Sequence, residues 1–103
     1  MVGSGMSRLG DLESGHGCYY PVPIVSTVGT VLVNKIPAAA VGDVTSTHTC
    51  PKKPTHIDMI SKGSKTVFIN KKSSARIGDV LKSLGPGGPA VMAQGSHSVL
   101  AGG

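Results

Sequence analysis

The sequence has 103 residues and a formal net charge of +5, with 39% hydrophobic and 3% aromatic residues. A chain of this length forms one small domain whose hydrophobic core is marginal, so a metal ion or a partner helps to stabilise it. Its 15 glycines and 7 prolines argue against long helices. No apolar run is long enough to span a membrane, and the basic residues are dispersed and lack the aromatic neighbours of a nucleic-acid-binding surface.

The first few residues carry no signal of the fold. Met1-Val-Gly-Ser-Gly precedes Met6 and is typical of a cloning remnant. We therefore expect residues 1–5 to lie outside a single domain of residues 6–103. The start also lacks the charged and then apolar pattern of a signal peptide.

A repeated segment dominates the middle of the chain. T-V-L-V-N-K-I-P-A-A-A-V-G-D begins at Thr30, and T-V-F-I-N-K-K-S-S-A-R-I-G-D begins 36 residues later at Thr66. Residues 8–11 are similar to the end of this unit, and residues 98–102 to its beginning. A repeat of this size is one supersecondary unit that cannot bury a core alone. We therefore expect about three units, with the two chain ends meeting to close a ring.

Short apolar, β-branched segments separated by turn residues predict brief strands along the chain. Two of them, at residues 30–34 and 66–70, are apolar on both faces, which is typical of strands covered on both sides. Asn34 and Asn70 are placed to form tight hairpin turns at positive φ. The predicted strands lie at residues 22–28, 30–34, 56–60, 66–70 and 90–93.

Each full repeat closes on a Gly-Asp step, at residues 42–43 and 78–79. Glycine permits a sharp reversal there, and aspartate can hydrogen-bond its own backbone. Together these signals predict an all-β fold of short β-hairpins, with internal repeats around a pseudo-threefold axis.

The side chains that can carry chemistry belong to four histidines and two cysteines. His48, Cys50 and His56 follow the Gly-Asp step at residues 42–43, and His16 follows the step at residues 10–11 with the same spacing as His48. Side chains two apart in an extended segment point the same way, so His48 and Cys50 can reach one ion. Three imidazoles and one thiolate complete a closed tetrahedral zinc shell. We therefore predict one structural Zn²⁺ per chain, bound by three histidines and one cysteine.

Three other interpretations of these residues remain open. Cys18 and Cys50 can form a disulfide that links two repeats. A cysteine–histidine pair can serve a hydrolase, although it needs an orienting third group, and the acidic residues are mostly in turns. The histidines and cysteines can also be unconnected surface and core residues without a metal.

The repeat resembles a known family. P-A-A-A-V-G-D at residues 37–43 is similar to the proline-alanine-alanine-arginine (PAAR) repeat, and residues 30–34 are similar to the strand that precedes it. The second copy, S-S-A-R-I-G-D at residues 73–79, departs from the motif at its start and returns to it at I-G-D. Residues 8–11 and 95–100 resemble the two parts of a split third copy.

The resemblance implies a small cone with a flat three-sided base and a sharp apex pinned by zinc. Such proteins cap the trimeric β-helical spike of contractile phage tails and type VI secretion systems. The family's zinc ligands correspond here to His16, Cys50 and His56, and we assign His48 as the fourth. K-S-L-G at residues 82–85 stands where the family often has a further cysteine, which leaves Cys18 and His97 as alternatives for the fourth position.

We expect a non-enzymatic, membrane-piercing tip that binds as one copy per spike trimer and has no catalytic residues. Its location would be the spike tip of a virion tail or baseplate, or the tip of a secretion apparatus assembled in the cytoplasm. The alternative is a small metal-dependent effector or hydrolase delivered by such a spike; an effector bound from outside also remains open. The apolar strand residues expected to dock on the spike are Val31, Leu32, Val33, Val67, Phe68, Ile69, Val99 and Leu100.

Overall fold

The computed structural model describes residues 3–15, 17–27, 29–51, 53–85 and 88–102. Within these residues the chain forms eleven short strands and no helix, so the predicted all-β class is confirmed. None of them therefore belongs to a helix that could cross a membrane. The strands are β1 (Ser4–Gly5), β2 (Leu32–Val33), β3 (Ile36–Pro37), β4 (His48–Cys50), β5 (Lys53–His56), β6 (Asp58–Ile60), β7 (Phe68–Ile69), β8 (Lys72–Ser73), β9 (Val80–Ser83), β10 (Ala90–Val91) and β11 (Leu100–Ala101).

Two hairpins, β2–β3 and β7–β8, have the same antiparallel construction. Their turns are Asn-Lys pairs at positive φ, with 54° and 67° at Asn34 and Lys35 and 48° and 69° at Asn70 and Lys71. Positive φ at both central residues matches the twist of the flanking strands, and asparagine tolerates it better than most residues. The predicted asparagine turns are confirmed.

The two ends of the chain form a third antiparallel strand pair, which is equivalent to the two hairpins although no turn connects its strands. We count it with them as the third hairpin. β1 pairs with β11, with Ser4 opposite Ala101 and Gly5 opposite Leu100. The expected meeting of the ends is confirmed. Ser4 and Gly5 lie inside the fold, contrary to expectation, because their backbone supplies the second strand of this hairpin. The cloning origin of residues 1–5 stays a prediction.

A circuit of backbone hydrogen bonds joins the three repeats. The Ser7 N–H donates to the Ala75 carbonyl (2.9 Å), the Ala75 N–H to the Ala39 carbonyl (3.0 Å), and the Ala39 N–H back to the Ser7 carbonyl (2.9 Å). This circuit is the closed ring that the repeats predict, and its small side chains let three backbones converge. Single bridges flank it and pair Met6 with Arg76, Arg8 with Ala38, and Ala40 with Ser74.

Each repeat then reverses at a Gly-Asp turn. Gly10, Gly42 and Gly78 take φ values of 89°, 98° and 93°, a region that favours glycine. The carboxylate of the aspartate that follows each glycine accepts a 2.8 Å hydrogen bond from the backbone N–H three residues earlier. The predicted reversals are therefore confirmed.

Two small apolar clusters form the core. Outside these clusters, the Thr45 N–H donates to the Asp58 carbonyl (3.0 Å), which ties the segment before β4 to the start of β6. The first cluster contains Met6, Val33, Ala38, Ala40, Ile69 and Ala101, and the second contains Ile24, Ala39, Ile60, Ala75, Leu81 and Met92.

The predicted strand at residues 22–28 is wrong over its described part. Residues 22–27 make only isolated bridges, of Pro23 with Leu12 and of Ile24 with Thr45. Pro23, inside this segment, has no N–H to donate, which interrupts a continuous ladder. The other predicted segments each contain a strand, although shorter than expected.

Candidate metal centre and docking surface

The β4–β5 hairpin and β6 bring two imidazoles and a carboxylate together. His48 lies opposite His56 in the hairpin, and Asp58 begins the next strand. His48 and Cys50 are buried while Thr49 between them is exposed, so the expected common face of His48 and Cys50 is confirmed.

The donor atoms of this group lie within hydrogen-bonding distance of one another. The Nε2 atom of His48 is 2.9 Å from Oδ2 of Asp58, and the Nε2 atom of His56 is 3.2 Å from Oδ1 of the same carboxylate. The two imidazole rings stack with their centroids 5.1 Å apart. All three residues are buried, and each offers a ligand atom within 4.8 Å of the others.

The loop of the first repeat supplies two further side chains. Oε2 of Glu13 lies 3.0 Å from Nε2 of His48, so two carboxylates meet one imidazole nitrogen. Tyr19 packs edge-on against the ring of His56, with centroids 4.5 Å apart. The Tyr19 hydroxyl donates to the Pro54 carbonyl (2.7 Å), which fixes the ring against the hairpin.

The carboxyl group of Glu13 has a perturbed protonation equilibrium. Burial raises its pKa to about 8, and a hydrogen bond with Asp58 and the negative charge of Asp58 contribute to the rise. The Gly15 N–H donates to Oε1 (2.7 Å) and opposes it. Without a bound cation, the Glu13 carboxyl group is therefore shifted toward its neutral, protonated form.

Cys18 and Cys50 form a disulfide, with their Cα atoms 5.7 Å apart. This is one of the arrangements that the sequence left open, and it corrects the predicted ligand set. A sulfur atom in a disulfide is not a thiolate, so neither cysteine is a metal ligand in this oxidised form. The bond instead joins the loop that carries Glu13 to the strand that carries His48.

The predicted ligands have different outcomes. His48 and His56 lie together, whereas His16 lies outside the described residues and stays a prediction. His97 is exposed and lines a surface cleft with Arg8 and Gln94, not with the histidine pair, so it is not the fourth ligand.

Asp58 and Glu13 were not predicted as ligands, although the sequence carries a signal for both. Of the five acidic residues in the chain, three close Gly-Asp turns, and Glu13 and Asp58 are the remaining two. Asp58 also follows His56 by two residues, and in an extended segment such side chains share a face. An acidic residue that does not belong to a Gly-Asp turn is therefore a candidate metal ligand.

The described donor set fits a zinc ion. Ligand atoms about 2.0–2.2 Å from a tetrahedral zinc lie about 3.3–3.6 Å from each other. The observed separations of 2.9 and 3.2 Å between imidazole nitrogens and the Asp58 carboxylate are a few tenths of an ångström shorter. Small movements of these side chains therefore suffice to admit one ion.

A second surface carries one exposed apolar side chain from each of the three hairpins, at equivalent positions. Leu32, Phe68 and Leu100 are 58%, 57% and 47% exposed. We expected these strands to be covered on both faces, and within the chain one face is open. We refer to Leu32, Phe68 and Leu100 as the apolar triad.

The neighbours of the triad have other roles. Val33 and Ile69 are only 3% and 2% exposed and belong to the first core cluster, so the prediction that they contact a partner is wrong. The cause is the alternation of side chains along a strand, which turns Val33 inward when Leu32 faces out. Val67 and Val99 are partly buried against the same cluster, and Val31 is 38% exposed.

Comparison with known proteins agrees with the repeats. The family model described as the PAAR motif matches residues 14–83, more than half of the chain. The chain therefore belongs to the PAAR motif family, which is a family of structural spike tips of the kind found in contractile phage tails and type VI secretion, and such tips associate with a spike protein. The resemblance noted in the sequence is confirmed. No curated protein matches the chain.

Proposed function

We propose that this protein is a non-enzymatic tip that caps a trimeric β-helical spike, with one copy bound per trimer. The apolar triad is the observation that carries the proposal. A β-helix ends in unpaired strand edges, which are a template for aggregation unless they are covered. One chain with three equivalent hairpins can meet three identical subunits at once, so a single copy fills the end of a threefold spike.

The docking contacts would be made by the triad with Val31, Val67 and Val99 at its margin. Exposed apolar side chains at three equivalent positions are costly in water unless a partner covers them. Two side-chain bonds tie the hairpins together, from the Asn34 amide to the Ser98 hydroxyl and from the Asn70 amide to the Thr30 hydroxyl, each 3.1 Å. A surface held in this way loses little entropy on binding.

The metal centre would hold one structural zinc ion per chain through His48, His56 and Asp58. An ion there would cross-link the three strands β4, β5 and β6, and so would add rigidity at a point of the molecule that must transmit force. His16 remains the predicted ligand from the first repeat. Cys50 would join the shell only after reduction of its disulfide.

A rigid tip of this kind would pierce a target membrane transiently when a tail contracts, and a secreted effector could bind it from outside. Its location would then be a phage baseplate or the end of a secretion apparatus. The alternative, a metal-dependent hydrolase, is disfavoured because the donors of the described centre are 0–6% exposed, which leaves a substrate little access.

Charge substitutions on the triad test the docking proposal. Leu32→Asp, Phe68→Asp and Leu100→Asp should each weaken capture by the spike trimer at least about tenfold while leaving the chain folded, since a docked apolar side chain is a typical hot spot. Leu84→Asp is the matched control, because Leu84 is 48% exposed and lies outside these hairpins. Normal binding by all three folded triad variants would refute this docking surface.

A further inference from the structure

Glu13 is placed to complete the metal centre. Its side chain is buried, and its Oε2 atom lies 3.0 Å from the same His48 nitrogen that is 2.9 Å from Asp58. We infer that Glu13 is a metal ligand, so that the ion is bound by two imidazoles and two carboxylates. This inference rests on the proposed metal centre and adds to it a residue that the repeat pattern does not predict.

The charges of the pocket support a divalent cation at this position. Glu13 and Asp58 are both 0% exposed, and burying two negative charges side by side is expensive unless a positive charge compensates them. A divalent ion balances both carboxylates and leaves both histidines neutral, which is the form in which they bind metal.

The distances support the same set. The three contacts that link Glu13, His48, Asp58 and His56 in series measure 3.0, 2.9 and 3.2 Å. They are each a little shorter than the roughly 3.3 Å edge of a tetrahedral shell. The donor atoms that all lie within 4.8 Å of one another are those of His48, His56 and Asp58, so Glu13 would join the shell beside His48 by a movement of its carboxylate toward His56.

The backbone of the first repeat fixes Glu13 in place. The Glu13 N–H donates to the Val22 carbonyl (3.1 Å), and its Oε1 atom accepts from the Gly15 N–H (2.7 Å). Gly15 has a φ of 73°, and a Cβ atom there would lie 2.6 Å from the Tyr19 carbonyl, so only glycine suits the turn. Oε1 is thus held by the turn, while Oε2 is left to face the histidines.

The disulfide fits this assignment. It holds the loop of Glu13 against β4, and it withdraws the Cys50 sulfur from the shell. Oxygen therefore takes the place that a thiolate would have, which gives a harder donor set. Such a donor set discriminates less between zinc, cobalt(II), iron(II) and manganese(II) than a site with a thiolate ligand does.

Cobalt(II) titration of the oxidised full chain provides the test. We expect one cobalt per chain, the visible absorption of a four-coordinate ion, and no thiolate-to-cobalt charge-transfer band. Glu13→Gln, which keeps the shape and the hydrogen-bonding capacity of the side chain, should lower the cobalt and zinc affinities at least about tenfold and change the visible spectrum. Asp11→Asn is the matched control and should leave both unchanged, because Asp11 serves the Gly-Asp turn two residues away.

The outcomes separate this inference from the metal centre itself. If the wild-type chain binds no metal, the proposed centre fails. If it binds metal and Glu13→Gln binds it equally well, or if a thiolate band appears, the Glu13 assignment is wrong and the centre survives; loss of metal in His16→Ala would then identify the missing ligand. Zinc-edge X-ray absorption of the wild-type chain gives a check that needs no variant: oxygen and nitrogen scatterers without sulfur are expected, and a sulfur shell would overturn the inference.

Discussion

The ring of three hairpins and the candidate metal centre use the repeats in different ways. The ring is made of backbone hydrogen bonds that recur in every repeat, as in the circuit of Ser7, Ala39 and Ala75. The metal centre occurs at one position, and its contacts are between side chains that differ from repeat to repeat. Pseudo-symmetry therefore provides three equivalent positions for the proposed trimeric partner, while side chains particular to single repeats provide the candidate metal centre, which needs no symmetry.

Removal of the metal should produce the largest change and should affect one region first. Binding free energy at a structural zinc site is folding free energy, on the order of 10 kcal/mol in small metal-dependent domains. A strong chelator or His56→Ala should therefore lower the melting temperature substantially and abolish zinc binding. Hydrogen exchange should locate the loss of protection in β4 and β5 before the ring. A chain that carries no zinc and melts identically with and without chelator would contradict the metal centre.

Loss of the disulfide should have a smaller effect on stability and none on metal content. The bond spans a sequence separation of 32 residues. Loop-closure entropy for such a span amounts to about 3–4 kcal/mol. Cys50→Ser should therefore lower the melting temperature by upwards of about 15 °C for a chain of this size.

Cys18→Ser is the paired control for that experiment. Both variants lose the bond, but Cys18→Ser leaves a free Cys50 thiol. Equal zinc content in the two variants is expected, as measured by mass spectrometry of the metals. Zinc retained in Cys18→Ser and lost in Cys50→Ser would show that Cys50 is a ligand after all.

The smallest effect concerns a departure from symmetry in the ring. Arg8 and Arg76 each form a two-pronged ion pair with the aspartate of the Gly-Asp turn, at 2.9 and 3.1 Å to Asp11 and at 2.9 and 2.8 Å to Asp79. Ala40 occupies the equivalent position of the middle repeat. Burial of the Asp43 carboxyl group raises its pKa. The hydrogen bond from the Ala40 N–H and the positive charge of Lys72 oppose this rise.

Ala40 is 0% exposed and lies in the first core cluster, so an arginine cannot be placed there without displacing packed neighbours. A folded chain that holds a carboxyl group with a raised pKa loses stability as the pH rises through that pKa. Asp43→Asn removes this titration, and its amide oxygen can still accept from the Ala40 N–H. It should therefore change the free energy of unfolding by at most about 1 kcal/mol and flatten its pH dependence. Asp79→Asn, which also loses the ion pair with Arg76, is the control and should cost more. Equal free energies of unfolding for the two variants at neutral pH would argue against the ion pair.

The parts of the fold that follow local rules could be predicted from the sequence, and the metal centre could be predicted only in part. Asparagine before lysine predicted the hairpin turns, and the split repeat predicted that β1 and β11 pair. The spacing of Cys18 and Cys50 was compatible with both a disulfide and a zinc ligand, because spacing does not give the distance between sulfurs. The proximity of Glu13 to His48 depends on how the first loop lies against β4, which no local pattern encodes.

The mass of the complex with the spike tests the central claim most directly. Native mass spectrometry or light scattering of the purified complex should give one copy of this chain per spike trimer, because its three hairpins already occupy the three equivalent positions. Saturation should be reached at that ratio with no further binding when the chain is in excess. Three copies per trimer would mean that each subunit binds its own chain, and would contradict the closed pseudo-threefold cap.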